Sequence, residues 1–486
     1  MAELDDTQPN GPPGHPTGAS DVRPHGELGV SRSAANTLTH QVGGLVADAI
    51  ARCQAAGAPA DVVAELQATR HRLEEPLRVA IAGRVKAGKS TLLNALVGEQ
   101  LAPTDAGECT RIVTWYRQGP VYRVTADLHD GTSRPVRFSR QSGALEIDIE
   151  GLQADAVRRL VVEWPSKRLA DLTLIDTPGV ASLDASVSER AVAFLTPDDD
   201  RPVEADAVLY LMRHLHAGDL SFLESFHDDD LTHATPVNAI GLLSRADEIG
   251  VGRPNAMRVA ERIAERYRSD PRLRRLCQTV LPINGLVAET AATLTQEEFE
   301  AVRQLSEIDR GAMEGLLLSA DRFRAEEAMI GDRPCPVPSL VRAHLLDRLG
   351  LFGIRVALPL VRQGRATSAL ELADVLAGRS GIVDLRRELL ERFAQRSDVL
   401  RARSALLAVS RLLHRAPGAV SASATGSRRM QTPIQMSETT LASWSPENSA
   451  GLTSRAPSRS ASASTDQTNS ATRMPATAAA PPRRPA

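Results

Sequence analysis

Eight residues constrain this chain more than any others: Gly83-Arg84-Val85-Lys86-Ala87-Gly88-Lys89-Ser90. They match G-x-x-x-x-G-K-[ST] and stand between an apolar run at 77–82 and a helix-forming stretch at 90–97. Glycine lets the backbone fold closely around an anion, so that amide N–H groups point inward. A helix starting near Ser90 adds the positive end of its dipole. Strand, phosphate loop and helix in that order open an α/β layered domain. The pattern predicts that Gly83, Gly88, Lys89, Ser90 and Thr91 bind a nucleotide. Lys89 is expected at the β- and γ-phosphates, and the Ser90 hydroxyl on Mg2+.

Composition sharpens the loop. Of 57 Lys+Arg residues only Lys86, Lys89 and Lys167 are lysine, and two of these three stand in it. A compact ammonium is wanted there rather than a planar guanidinium. Elsewhere composition mainly excludes. The formal net charge of −3 gives no basic footprint, so no nucleic-acid partner is expected. No apolar run reaches the roughly 18 residues a membrane-spanning helix needs, and residues 1–24 lack the basic start and apolar stretch of a secretory signal. Cys53, Cys109, Cys277 and Cys335 are too scattered for a disulfide frame or a metal site, which predicts a reducing, cytoplasmic setting.

Two further motifs follow in order. Asp176-Thr177-Pro178-Gly179 ends an apolar run at 172–175. Its carboxylate can hold Mg2+ and the Gly179 amide can sense a γ-phosphate; Asp-Thr-Pro-Gly is also a good turn. An ATPase would more often carry a second acid after Asp176, and none is present. Ser244-Arg245-Ala246-Asp247 closes a run at 237–243. A carboxylate at Asp247 can accept two hydrogen bonds from guanine N1–H and its exocyclic amine, which adenine cannot supply. GTP and GDP are thus the expected ligands. Ser244 and Arg245 depart from the usual Asn/Thr-Lys, and the Arg245 stem can lie on the base. A helix-capping aspartate is the plainer alternative. Pro282-Ile283-Asn284-Gly285 offers a base contact through backbone N–H, with Asn284 counted among the nucleotide-binding residues. Between the loop and Asp176, the segment 103–110 reads as a switch, with Thr110 the expected third hydroxyl or carboxylate ligand to Mg2+ and Thr104 the second choice. No glutamine follows Gly179 to orient water.

Short β-type runs at 77–82, 111–117, 121–128, 160–164, 172–175, 207–212 and 237–243 alternate with helical patterns at 90–97, 219–226 and 254–267. Asp130-Gly131 marks a hairpin between the run at 121–128 and a second run at 136–138. The expected fold is an α/β domain, mostly parallel with an antiparallel edge, joined to an α-helical stalk. The expected divisions are a disordered segment at 1–34, helices at 35–76 packing with the stalk, the nucleotide domain at 77–365, stalk helices at 366–415 and a low-complexity tail at 416–486. Thr295 and Glu298 make a capping box. The stretch 349–361 is too short to span a bilayer and reads as a buried helix. Asp runs at 198–200 and 228–230 read as solvated loop, and Trp444 has no flanking pattern.

Together these elements resemble the dynamin superfamily and bacterial dynamin-like proteins in particular, most nearly the isoniazid-inducible Ini-type (IniC-like) branch of mycobacteria. Leu77–Gly83, Lys86–Leu92, Arg111-Ile112-Val113-Thr114-Trp115, Ser244-Arg245-Ala246-Asp247-Glu248-Ile249-Gly250, Leu351-Phe352-Gly353-Ile354-Arg355 and Phe393-Ala394-Gln395-Arg396-Ser397-Asp398 carry the resemblance, which runs over about residues 35–415. It implies a GTPase head on a helical stalk, head-to-head pairing with itself or another dynamin-like protein, and work at an anionic membrane on the inner cytoplasmic face. It also gives Lys86 an expected catalytic part beside Lys89 and Thr110, since eukaryotic dynamins typically hold a serine there that helps bind a monovalent cation. The family's stalk continues with further helices, whereas helical sequence stops here near Arg415. A soluble regulatory GTPase, or a partner subunit without lipid contact, is therefore the second expectation. The basic amphipathic stretch 389–415, with Leu389, Phe393, Leu400 and Leu407 near one face, suits a membrane surface or a stalk helix equally.

Overall fold

The computed structural model describes residues 36–103, 112–141, 144–149, 151–179, 204–226, 238–330 and 333–415. The chain divides into two units, Met1–Ser423 and Ala424–Ala486, and every described residue belongs to the first. The readings made for Thr104, Thr110, the two Asp runs, Trp444 and both termini lie outside the described residues.

The sheet orders nine strands. In chain order they are β1 (Leu77–Gly83), β2 (Thr114–Gln118), β3 (Arg123–Leu128), β4 (Ser133–Pro135), β7 (Val157–Trp164), β8 (Leu172–Asp176), β9 (Ala207–Met212), β10 (Ala239–Leu243) and β11 (Val280–Pro282). A separate hairpin, β5 (Arg137–Gln141) with β6 (Ala144–Asp148), lies between β4 and β7 in the chain. The spatial order is β11-β10-β9-β1-β8-β2-β7-β3-β4. From β11 to β8 all neighbours are parallel. At β8 the direction reverses: β2 runs antiparallel to β8, although it is parallel to β7. Five of the eight neighbouring pairs are thus parallel and three antiparallel, and the Asp130-Gly131 turn joins β3 to β4 at 133–135 rather than to the run at 136–138.

The parallel block is covered on both faces. Along β1, Leu77, Val79 and Ile81 enter one core while Ala80 and Ala82 enter the other, as the period of two requires. β9 and β10 are buried throughout, which is why both read as unbroken apolar runs. One core is closed by α3 (Lys89–Val97), through Leu92, Leu93 and Leu96. The other is closed by α4 (Ala217–Phe226) and α6 (Leu273–Leu276). Between these two helices in the chain lies α5 (Ala256–Ser269).

After β11 the chain is helical: α7 (Gly285–Thr293), α8 (Gln296–Ser306), α9 (Arg310–Leu316), α10 (Ala320–Arg324), α11 (Ser339–Arg362), α12 (Ala369–Ser380), α13 (Ile382–Glu388) and α14 (Ser397–Arg415). The two-residue strands β12 (Met329–Ile330) and β13 (Arg333–Pro334) pair just ahead of α11. The capping box is present: Thr295 Oγ1 accepts from the Glu298 amide at 3.1 Å and Glu298 Oε2 accepts from the Thr295 amide at 2.9 Å. Phe299, Val302 and Leu305 of α8 share a core with Leu345, Phe352 and Val356 of α11 and Leu372 and Leu376 of α12. Stretch 389–415 is two pieces, a π-helical turn over Leu389–Ala394 and then α14. Leu389, Phe393 and Leu400 join the core of the sheet. Ala402, Ala405 and Leu412 pack on α1 (Asn36–Ala55) and α2 (Ala60–Arg72), against Val42, Val46, Ile50, Val62 and Leu66. No helix among the described residues is long and apolar enough to cross a membrane.

Candidate functional site

Parallel strands deliver their C-terminal ends to one rim, and an open α/β sheet binds ligands there. Gly83 ends β1, Asp176 ends β8, Ser244 follows β10 and Ile283 follows β11. Register aligns them: Ile81 lies opposite Asp176, and Leu243 lies opposite both Met212 and Pro282. The motifs that sequence spacing singled out are thus gathered from four strands onto one edge.

Gly83 has φ +146, and a Cβ on it would stand 2.4 Å from the Leu211 carbonyl oxygen on β9, so only glycine passes there. Gly88 is left-handed at φ 92 immediately before α3. The Lys89 ammonium lies 3.4 Å from the carbonyl oxygens of Gly83 and Arg84, folded over the loop. Burial lowers its pKa and the nearby Asp176 charge opposes that. Ser90 Oγ donates to Asp176 Oδ2 at 2.7 Å. The other oxygen, Asp176 Oδ1, is buried without a hydrogen-bond partner, and burial raises this carboxyl's pKa. A buried carboxylate with one idle oxygen beside a hydroxyl, at the foot of a phosphate loop, fits a hard divalent cation with oxygen ligands.

Thr177 fastens the next turn, its Oγ1 donating to the Ile81 carbonyl at 2.9 Å. Gly179 then meets the phosphate loop: a Cβ on it would come within 2.5 Å of Val85 Cγ2 and 2.9 Å of Val85 Cα. Thr91 faces the start of α7, with its Cγ2 3.6 Å from where a Cβ of Gly285 would be. Lys86 stands exposed at the loop's tip with a left-handed backbone, φ 61.

At the other end of the rim, Arg245 is left-handed at φ 52 and its guanidinium pairs with Glu248 at 2.5 Å. Asp247 is half-buried in the single turn Ala246–Glu248. Burial, more than any charge, holds its carboxyl above the usual carboxylate range.

Asn284 is the N-cap of α7. Its backbone N–H donates to the Ser380 carbonyl at 2.8 Å, and its Oδ1 caps α7 by accepting from the Val287 amide at 3.1 Å. The Asn284 N–H is thus committed within the fold, while its Nδ2 is buried without a hydrogen-bond partner.

One organising residue escaped the motifs. Asn94 is fully buried in α3, where its Oδ1 accepts from the Leu101 and Ala102 amides at 2.9 and 2.7 Å. Its Nδ2 donates to the Ala102 carbonyl at 3.0 Å and to Glu289 Oε1 at 3.1 Å. This ties the segment leaving α3 to both α3 and α7. The one signal in sequence was an amide inside an otherwise apolar helix, where it must find partners.

The dynamin-family model matches residues 79–214. Isoniazid-induced protein IniC of Mycobacterium tuberculosis is 42% identical over 366 residues, covering 74% of this chain and 73% of that protein. This chain is a dynamin-family protein of the bacterial, IniC-like kind. A bacterial dynamin-like protein of Nostoc punctiforme is 28% identical over 174 residues, 33% of this chain and 24% of that one. The tRNA modification GTPase MnmE of Zymomonas mobilis is 30% identical over 142 residues, 28% of each chain. The chain therefore belongs to a guanine-nucleotide family, and its rim is the place to look for the nucleotide.

Proposed function

We propose that this dynamin-like protein binds GTP with Mg2+ and hydrolyses it to GDP and phosphate on the rim formed by β1, β8 and β10. The carrying observation is the Ser90–Asp176 hydrogen bond with its idle Oδ1. Ser90 and Asp176 would hold Mg2+, with Thr110 completing the set in the triphosphate state. Mg2+ held by these residues would offset the negative charge of the phosphates. Amides of the loop from Gly83 to Gly88 cradle the phosphates, Lys89 turns from the loop carbonyls onto the β- and γ-oxygens, and the Gly179 amide, packed on Val85, reads the γ-phosphate. Asp247 accepts guanine N1–H and its amine, with the Arg245 stem over the base.

Lys86 supplies positive charge without calling on an arginine finger, beside its own phosphates or across a head-to-head pair. Such groups are worth on the order of a thousandfold in rate. Lys86→Ser is expected to bind GTP normally, to release phosphate slowly and to recover in part with potassium. Full activity would return Lys86 to the role of a surface residue.

Phosphate release from GTP, with ATP as competitor and with EDTA, tests the central reading. Release that ATP leaves untouched and EDTA abolishes is expected. Equal turnover of ATP, or turnover indifferent to EDTA, overturns it.

Family membership supports nucleotide-dependent head-to-head dimerisation and peripheral membrane association or remodelling on the cytoplasmic side. One observation favours the second reading, a soluble regulatory GTPase or a partner of another dynamin-like protein. The apolar face of α14 is covered by α1 and α2, and Arg401 donates to the Glu75 carbonyl and to Asp398. That face is not free for lipid. Flotation with anionic vesicles, with and without GTP, decides: GTP-dependent flotation supports the first reading and its absence the second.

A further inference from the structure

Asp247 does not stand alone at the base end. The helix α11 comes against it at Gly350, where the helix is broken: φ 62 and ψ 174 lie in a region open essentially to glycine. A Cβ on Gly350 would stand 4.0 Å from Asp247 Oδ2 and 3.5 Å from Leu286 Cδ2. Each half of α11 is anchored separately. Before the break, the Arg348 carbonyl accepts from Thr290 Oγ1, and its guanidinium binds Glu298 at 2.7 Å and Thr293 Oγ1 at 2.6 Å. After the break, Arg355 reaches the loop that carries Asp247. Its Nη1 donates to the Val251 and Gly252 carbonyls at 2.7 and 2.8 Å, and its Nη2 to the Leu317 carbonyl.

That loop needs holding. Gly250, Val251 and Gly252 are left-handed in succession, at φ 69, 61 and 67. Val251 is β-branched, the worst side chain for that backbone, and it is 75% exposed, so no packing repays the strain. Strained backbone persists only where its surroundings over-determine it. Here the surroundings are the Arg355 fork and the first turn after the break. A Cβ on Gly252 would lie 3.3 Å from the Phe352 amide and 3.4 Å from Leu351 Cβ.

We infer that Gly350 and Arg355 are positioning residues for guanine selectivity: the break in α11 and the Arg355 clamp hold Asp247 so that its carboxylate meets both guanine donors at once. Neither residue touches the base. This inference rests on the guanine reading of Asp247.

The test is equilibrium binding of GDP and IDP to the full chain carrying Gly350→Ala, Arg355→Gln or Arg355→Lys. IDP keeps N1–H but lacks the 2-amino group. The GDP-over-IDP affinity ratio therefore reports the second hydrogen bond and cancels the phosphates. A carboxylate out of place loses that bond, so the ratio is expected to fall about tenfold in Gly350→Ala and Arg355→Gln. Arg355→Lys keeps the charge without the fork and should fall between. It decides by the same ratio if Arg355→Gln does not fold. A merely structural role would weaken both nucleotides together. An unchanged ratio in any folded variant overturns the inference. Asp247→Asn separates the two claims: if it fails to shift preference toward xanthine nucleotides, the guanine reading falls instead.

Discussion

At the phosphate end, Lys89 and Ser90 open a helix directly off the central strand β1, and their partners Gly83 and Asp176 sit on that strand and its neighbour β8. At the base end, Asp247 sits in a single turn that leans on a helix far along the chain, through Gly350 and Arg355. One end is built on the most buried part of the fold; the other is a strained loop held by a clamp. The phosphate end should therefore fail only when its own residues are changed. The base end should also respond to changes in α11, the element that leads into α12 and the helices beyond.

The largest effect should come from the phosphate end. Lys89→Ala removes the half-buried ammonium folded over the loop, and hydrolysis should drop by on the order of a thousandfold or more. Phosphate release under single turnover checks this, and a loss under tenfold would take Lys89 out of the site. Next, Asp247→Asn should weaken GTP about a hundredfold while admitting XTP, because xanthine presents an acceptor where guanine has a donor. Competition between the two nucleotides reads this directly. A variant that still prefers GTP would break the comparison at its base end.

A pH titration separates the ends without mutation. On the proposed reading guanine needs Asp247 ionised, and burial raises its pKa above the ordinary carboxylate value. Affinity is thus fully present well above that raised pKa and is lost as pH falls through it, earlier than an unburied aspartate would allow. The GDP-over-IDP ratio should decline by up to about tenfold between neutral pH and the acid end of the stable range. In Asp247→Asn the ratio should be flat. A flat ratio in the unmodified chain would mean that the carboxylate is not what discriminates.

The same contrast explains what could be read from sequence. The phosphate end was legible because its chemistry is contiguous: Gly83 to Ser90 is one octapeptide, and Asp176 closes a single strand. Alternating apolar runs likewise gave most of the sheet, because parallel strands buried on both faces leave little room for polar residues. The pairing of β5 with β6 was missed because Arg137–Gln141 carries four polar side chains in five residues, so only the stretch at 136–138 reads as a β-type run. The base end was legible only at Asp247. Leu286, Gly350 and Arg355 come from segments whose meeting depends on how α7 and α11 pack, and no local spacing encodes that. Gly350 falls inside the stretch 349–361 that reads as one buried helix, and Arg355 stands out only through the resemblance. The role of Asn284 in joining α7 to α12 was likewise hidden, because the Ser380 carbonyl that takes its N–H lies far along the chain.

The smallest effect concerns stability, and it bears on both ends. Lys86 and Val251 have the same left-handed φ of 61, one in the phosphate loop and one in the base loop. For a side chain with a Cβ that backbone costs about 1–2 kcal/mol. Glycine removes this cost but adds freedom to the unfolded chain, which takes back roughly 0.4–1 kcal/mol. Lys86→Gly should therefore stabilise the protein by about 0.5–1 kcal/mol, a rise of about 1–3 °C in Tm for a domain of this size, while hydrolysis falls as in Lys86→Ser. Val251→Gly should gain at least as much, since a β-branched residue tolerates that backbone less well than lysine. Thermal melts of the nucleotide-free chain check both. If Lys86→Gly melts lower, its ammonium is stabilising the fold and not held under strain for the reaction. If Val251→Gly melts lower while Lys86→Gly melts higher, the Arg355 clamp is using the valine's stiffness, and the two ends differ in more than their supports.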